Sequence, residues 1–106
     1  MSAEIQAEDL AARRQAGENL FLLDVREPWE VAIAAIEGAV NIPLAALPEA
    51  LDRIPADLPV VTICHHGLRS AKAMRWLEAQ GRHNAVNLAG GIDAWARRVE
   101  PGMPVY

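Results

Sequence analysis

Apolar residues gather in short runs along this chain, and the runs alternate between two periods. Leu20-Phe21-Leu22-Leu23-Asp24-Val25 and Val60-Val61-Thr62-Ile63-Cys64 are continuous apolar stretches of strand length, which suits strands buried on both faces of a parallel sheet. Ala85-Val86-Asn87-Leu88 predicts another short strand, Ala39 to Pro43 a brief extended piece closed by proline, and Ile5 a short edge strand. Between these runs the spacing turns helical. In the segment from Ser2 to Gly17, Glu8 to Gln15 predicts a first helix with Gly17 as its stop. Glu27 to Ala34 carries Pro28 in its first turn and points Val31, Ala34 and Ala35 at the core. Leu47 to Arg53, between Pro48 and Pro55, predicts a short helix. Ser70 to Gln80 sets Ala73, Met74 and Leu77 on one face and Lys72, Arg75 and Gln80 outward, with Gly81 as its end. Gly90-Gly91 makes a tight connection into a last helix from Ile92 to Arg98, before a Pro101-Gly102 turn.

Strands alternating with helices predict an α/β fold with a parallel sheet covered on both faces. A length of 106 residues with 52% apolar content gives one domain, spanning 1–106. The net charge of -4 leaves no basic face for a nucleic-acid backbone. Apolar runs fall short of the roughly 20 residues that span a bilayer. No basic region followed by an apolar stretch opens the chain. These features predict a soluble, cytoplasmic protein with no membrane or nucleic-acid partner. The single cysteine forbids an internal disulfide, and a free thiol suits a reducing compartment.

That cysteine is where candidate chemistry concentrates. Val60 to Cys64 ends as a strand, His65-His66-Gly67-Leu68-Arg69 makes a polar turn, and helical spacing begins near Ser70. In such a turn backbone N–H groups converge on one spot while the new helix offers the positive end of its dipole there. Cysteine attacks as its anion, so the arrangement favours Cys64 as a nucleophile, with Arg69 as the nearby cation able to fix an anionic substrate. Gly67 permits the curled backbone. His65 and His66, with Cys64 and distant His83, are zinc-ligating types, but adjacent positions do not direct three side chains at one ion. No metal is expected, and the two histidines are placed at the rim. Asp24, Arg26 and Glu30 follow the preceding buried strand, where the acids can hold Arg69; Asp24 taken alone reads as a cap of the helix at Glu27 to Ala34. Trp29, Trp76 and Trp95 read as core or rim aromatics.

At Cys64-His65-His66-Gly67-Leu68-Arg69-Ser70 the chain resembles the rhodanese sulfurtransferases in their small single-domain form, whose active-site loop supplies a nucleophilic cysteine and a cradle of amides. Leu22-Leu23-Asp24-Val25-Arg26-Glu27-Pro28-Trp29-Glu30 is similar to that family's first signature, and Asn87-Leu88-Ala89-Gly90-Gly91-Ile92-Asp93-Ala94-Trp95 to its closing one. The three lie in family order. One departure is Ala35-Ile36-Glu37-Gly38-Ala39, where many members carry a histidine before an Ile-Pro-Gly-Ala turn. The resemblance implies a rhodanese-like three-layer domain around a mostly parallel five-stranded sheet with helices on both faces. It implies Cys64 as catalytic residue, His65 to Ser70 as the substrate-binding loop, and no cofactor. The implied activity moves a sulfane sulfur from thiosulfate or a persulfide donor, through a Cys64 persulfide, to cyanide or a thiol. A sulfur-accepting protein is a further expected partner. Dual-specificity phosphatases of the cell-division type share the fold with a loop one residue longer, whereas Cys64 to Arg69 encloses four residues here. A smaller loop suits a sulfur atom better than a tetrahedral phosphate, so phosphatase or arsenate reductase activity is the weaker enzyme reading. Non-catalytic, partner-binding members usually lack the cysteine.

Overall fold

A computed structural model of the chain describes residues 3–106; Met1 and Ser2, where the first predicted segment opens, lie outside the described residues. The five predicted strands form: β1 (Glu4–Ile5), β2 (Phe21–Asp24), β3 (Val40–Asn41), β4 (Val60–Ile63) and β5 (Ala85–Leu88). They make one sheet in the order β1-β5-β4-β2-β3, and every pairing is parallel. β4 therefore lies at the centre, with Asp24 of β2 level with Ile63 on one side and Asn87 of β5 level with Thr62 on the other.

Among the described residues four α-helices lie between strands, α1 (Ala7–Gln15), α2 (Pro28–Ile33), α3 (Leu47–Ala50) and α4 (Leu68–Ala79), and α5 (Gly91–Arg98) follows the last strand. Alternate residues of each central strand feed opposite faces of the sheet. Leu23, Val60 and Cys64 join Leu47, Ala73, Met74 and Leu77 on the side of α3 and α4. Leu22, Val61 and Ile63 join Leu10, Ile92 and Trp95 on the side of α1 and α5. Burying such side chains stabilises the fold by about 1.5–3 kcal/mol each, and the alternation makes three layers.

Some boundaries move. Helix α4 begins at Leu68 rather than near Ser70, because Gly67 takes φ +103 and turns the chain into the helix at once. The segment from Leu47 to Arg53 is only partly α-helical; 3-10 turns occupy Leu44–Ala46 and Leu51–Arg53 on either side of α3. Helix α2 stops at Ile33, so Ala34 is buried and Ala35 is exposed instead of facing the core. Trp95 is buried and Trp76 half-buried, while Trp29 stands 63% exposed.

Candidate active site

Cys64 is the first residue beyond β4, at the carboxyl edge of the sheet where open α/β folds place their ligands. The residue is only 1% exposed. Its Sγ accepts a hydrogen bond from the Gly67 amide at 3.1 Å and one from Ser70 Oγ at 3.3 Å. Helix α4 has no side-chain cap and no acid in its first turn, so the sulfur meets the positive end of the helix with no carboxylate competing for it.

The Gly67 amide faces the sulfur while the loop carbonyls are tied outside. The first turn of α5 donates Ile92 N to Cys64 O at 2.8 Å and Asp93 N to His65 O at 3.1 Å. The Asn87 side-chain amide donates to Gly67 O at 3.0 Å. Two helix N-termini thus meet at this loop, one taking its carbonyls and the other facing the sulfur. Asn87 and Gly91 carry this support, and as site residues they are additions to the sequence reading. Both lie inside the closing signature, which was the available signal.

Arg69 does not hydrogen-bond the sulfur. Its Nη1 and Nη2 donate to Glu30 Oε2 and Oε1 at 2.7 and 2.8 Å, a bidentate pair in which Arg69 is 37% exposed and Glu30 5%. Glu30 also accepts from the Glu27 amide at 2.9 Å and from the Tyr106 hydroxyl at 3.0 Å. The Arg69 guanidinium above all, aided by these two donors and opposed by burial, lowers the Glu30 carboxyl to about 2. Glu30 reciprocally raises Arg69 above its ordinary value, against burial, with a smaller contribution from the charge of Cys64. The expected nearby cation is therefore already paired, and the direct contacts to the sulfur come from Gly67 and Ser70.

Asp24 neither caps α2 nor reaches Arg69. It forms a fully buried pair with Arg26, whose Nη2 donates to Oδ2 at 2.7 Å and whose Nε donates to Oδ1 at 2.9 Å. Arg26 pairs with Asp24 because Asp24 ends β2 and Arg26 lies two residues further along the chain. Its other donors go to Glu30 O, Ala34 O and the Tyr106 hydroxyl, so all five guanidinium N–H groups are satisfied, as a buried arginine requires.

His66 is exposed and Leu68 projects outward at 77% exposure. His65 is half-buried between rings, with Tyr106 stacked at 3.9 Å and 4° and His66 at 3.9 Å and 31°. Its Nε2 is buried without a hydrogen-bond partner, above a small hollow lined by Ile92, Asp93, Ala96, Pro104 and Val105. Donor atoms of His65, His66 and Asp93 lie within 4.8 Å of one another. The two imidazole rings are tilted by 31° to each other, and three donor groups converge here, one fewer than the four that close a structural zinc site. His83 is exposed in the turn before β5 and stands apart from this cluster.

The model of the rhodanese-like domain matches residues 6–98 of this sequence. The chain belongs to the rhodanese-like family. Among rhodanese-like relatives, a protein named sulfurtransferase from Allochromatium vinosum is 39% identical over 105 residues, covering 99% of this chain and 95% of that protein. The probable adenylyltransferase/sulfurtransferase MoeZ of Mycobacterium tuberculosis is 41% identical over 93 residues, of which the match covers 86% of this chain but 24% of that protein. The crystal structure of a rhodanese-like domain protein from Staphylococcus aureus superposes with a TM-score of 0.85 at 30% identity, covering 100% of this chain and 99% of the other. The all-parallel five-stranded sheet is thus the rhodanese-like fold. No helix of the described residues is long and apolar enough to cross a membrane.

Proposed function

We propose that this chain is a sulfurtransferase that carries a sulfane sulfur on Cys64. The observation that carries the reading is the pair of donors, Gly67 N–H and Ser70 O–H, aimed at the sulfur of the only cysteine. Donors fixed in place before reaction stabilise an anion without having to reorganise. The Cys64 thiolate attacks the outer sulfur of thiosulfate: the Sγ–S bond forms, the S–S bond of the donor breaks, and its electron pair leaves with sulfite. Cyanide then attacks that outer sulfur, a C–S bond forms, the Sγ–S bond breaks, and the pair returns to Sγ as thiocyanate departs. A thiolate acceptor takes the sulfur in the same way, ending as a persulfide. Each half is a displacement at sulfur, so the covalent intermediate divides one transfer into two.

Arg69 fits the role of receiving the donor's anionic group. Its bidentate grip on Glu30 uses two of its five N–H donors and leaves three. The name of the Allochromatium vinosum relative, matched over 95% of its length, supports sulfur transfer. A protein acceptor is part of the reading, supported by the match to one stretch of the larger MoeZ protein, as is a cytoplasmic site of action for a protein with a free thiol.

Brief exposure to thiosulfate should add one sulfur atom to the intact mass. Cyanide should remove it with release of thiocyanate, and Cys64→Ser should not acquire it. An unchanged mass with both thiosulfate and glutathione persulfide, together with hydrolysis of a phosphate ester, would replace sulfur transfer by phosphatase chemistry.

A further inference from the structure

Tyr106 is the chain's single tyrosine, and none of the chemistry above uses it. Its hydroxyl accepts from Arg26 Nη1 at 2.9 Å and donates to Glu30 Oε1 at 3.0 Å. Glu30 holds Arg69 through both of its oxygens. Asp24, Arg26, Tyr106, Glu30 and Arg69 therefore form one unbroken hydrogen-bonded chain from the buried pair at the end of β2 to the start of α4. On its other side the tyrosine ring lies flat on His65 of the cysteine loop, and Trp29 meets its edge at 6.3 Å.

The hydroxyl separates two arginines that would otherwise share one carboxylate. A carboxylate offers about four acceptor sites, and those of Glu30 are filled by two N–H of Arg69, the Glu27 amide and Tyr106. Arg26 already touches the Glu30 backbone oxygen at 3.3 Å. Without the hydroxyl, its Nη1 loses an acceptor beside a vacated site on Glu30 Oε1, and a buried, unsatisfied guanidinium N–H is costly. Arg26 then draws Glu30 away from Arg69.

We propose that Tyr106 is a positioning residue for Arg69: its hydroxyl occupies Arg26 and fixes the Glu30 carboxylate so that the free N–H donors of Arg69 are presented to an anion at Cys64. The proposal rests on the reading of Arg69 as the group that meets the donor's charge.

The test compares alkylation of Cys64 by iodoacetate and by neutral iodoacetamide. The two reagents are nearly the same size, so burial of the sulfur cancels in the ratio of their rates, and that ratio reports the cation offered to an anion. Arg69→Gln should lower the ratio. Tyr106→Phe, which keeps the ring on His65, should lower it roughly three- to tenfold with the iodoacetamide rate nearly unchanged. Tyr106→Phe on top of Arg69→Gln should lower it no further, as expected for two residues acting through one contact. A wild-type ratio in Tyr106→Phe overturns the proposal. So does an equal fall with both reagents, which marks a merely loosened loop, or a ratio indifferent to Arg69→Gln. Should the Phe chain not fold, a fluorinated tyrosine of more acidic hydroxyl can replace tyrosine throughout, since only Tyr106 is affected, and the ratio is followed across the pH range in which that phenol ionises. The phenolate still accepts from Arg26 but has no proton to donate to Glu30, so a fall across that ionisation, confined to chains with Arg69, is expected, and an unchanged ratio overturns the proposal. Alkylation forms no persulfide, so this outcome is independent of whether thiosulfate loads sulfur onto Cys64.

Discussion

Gly91 lies so close to the carbonyl oxygen of Cys64 that a Cβ in its place would come within 2.5 Å of it, and equally close to His65 O. Its φ of +60 is also one that other residues resist. The close approach is what allows the α5 amides to reach these two carbonyls, so the closing glycine pair and the cysteine loop are one object. Gly91→Ala should therefore destabilise the fold by about 2–4 kcal/mol, seen as an earlier urea midpoint. It should also reduce sulfur uptake by the chains that remain folded. Unfolding at the wild-type midpoint would show that this contact does not constrain the loop.

Ser70 is fully buried and its hydroxyl faces Sγ. A hydrogen bond to a charged group is worth about 1.5–3 kcal/mol, and about 1.4 kcal/mol is a factor of ten in rate. Ser70→Ala should thus slow single-turnover sulfur uptake from thiosulfate by roughly tenfold or more, while circular dichroism stays that of the wild type. An unaltered uptake rate would leave the anion to Gly67 alone.

Arg69→Lys keeps the charge and loses the planar fork that grips both oxygens of Glu30. Steady-state assays should show the KM for thiosulfate rising roughly tenfold, with a smaller change in kcat. Kinetics identical to wild type would remove Arg69 from donor binding.

Glu30 gives a pH signature. Its carboxyl is lowered from 4.5 to about 2, so the folded state binds a proton there more weakly than the unfolded chain does. The stabilisation is complete above the unfolded value and is lost as pH falls through about 2. A shift of this size corresponds to about 3 kcal/mol. The slope of unfolding free energy against pH between 4.5 and 2 should therefore be shallower in Glu30→Gln than in wild type. Parallel acid limbs for the two proteins would mean that the ion pair does not form in solution.

The strands, the sheet class and the cysteine loop could be read from the sequence because each is a local pattern: β-branched runs, one glycine, and helical spacing that starts where they end. Sequence spacing places the start of α4 two residues late, since Leu68 and Arg69 resemble loop residues until Gly67 is known to turn at positive φ. Asp24 and Glu30 are both candidate partners of Arg69 in the sequence, but only the fold separates them, sending Asp24 to Arg26 and Glu30 to Arg69. Tyr106 lies 76 residues from Glu30 along the chain. No spacing rule connects positions so far apart, and its ring and hydroxyl find their partners only where the segments that follow β2 and β4 meet at one edge of the sheet.

The outward anchoring of the Cys64, His65 and Gly67 carbonyls bears on protein engineering. The seven residues from Cys64 to Ser70 contain the Cys64 sulfur and its two donors, yet their carbonyls are held by Asn87, Ile92 and Asp93 from the following strand and helix. Transplanting that heptapeptide into another strand-to-helix junction would carry the letters without the shape. A transplant has to run at least from β4 through the first turn of α5, so that Asn87, Ile92 and Asp93 travel with the loop.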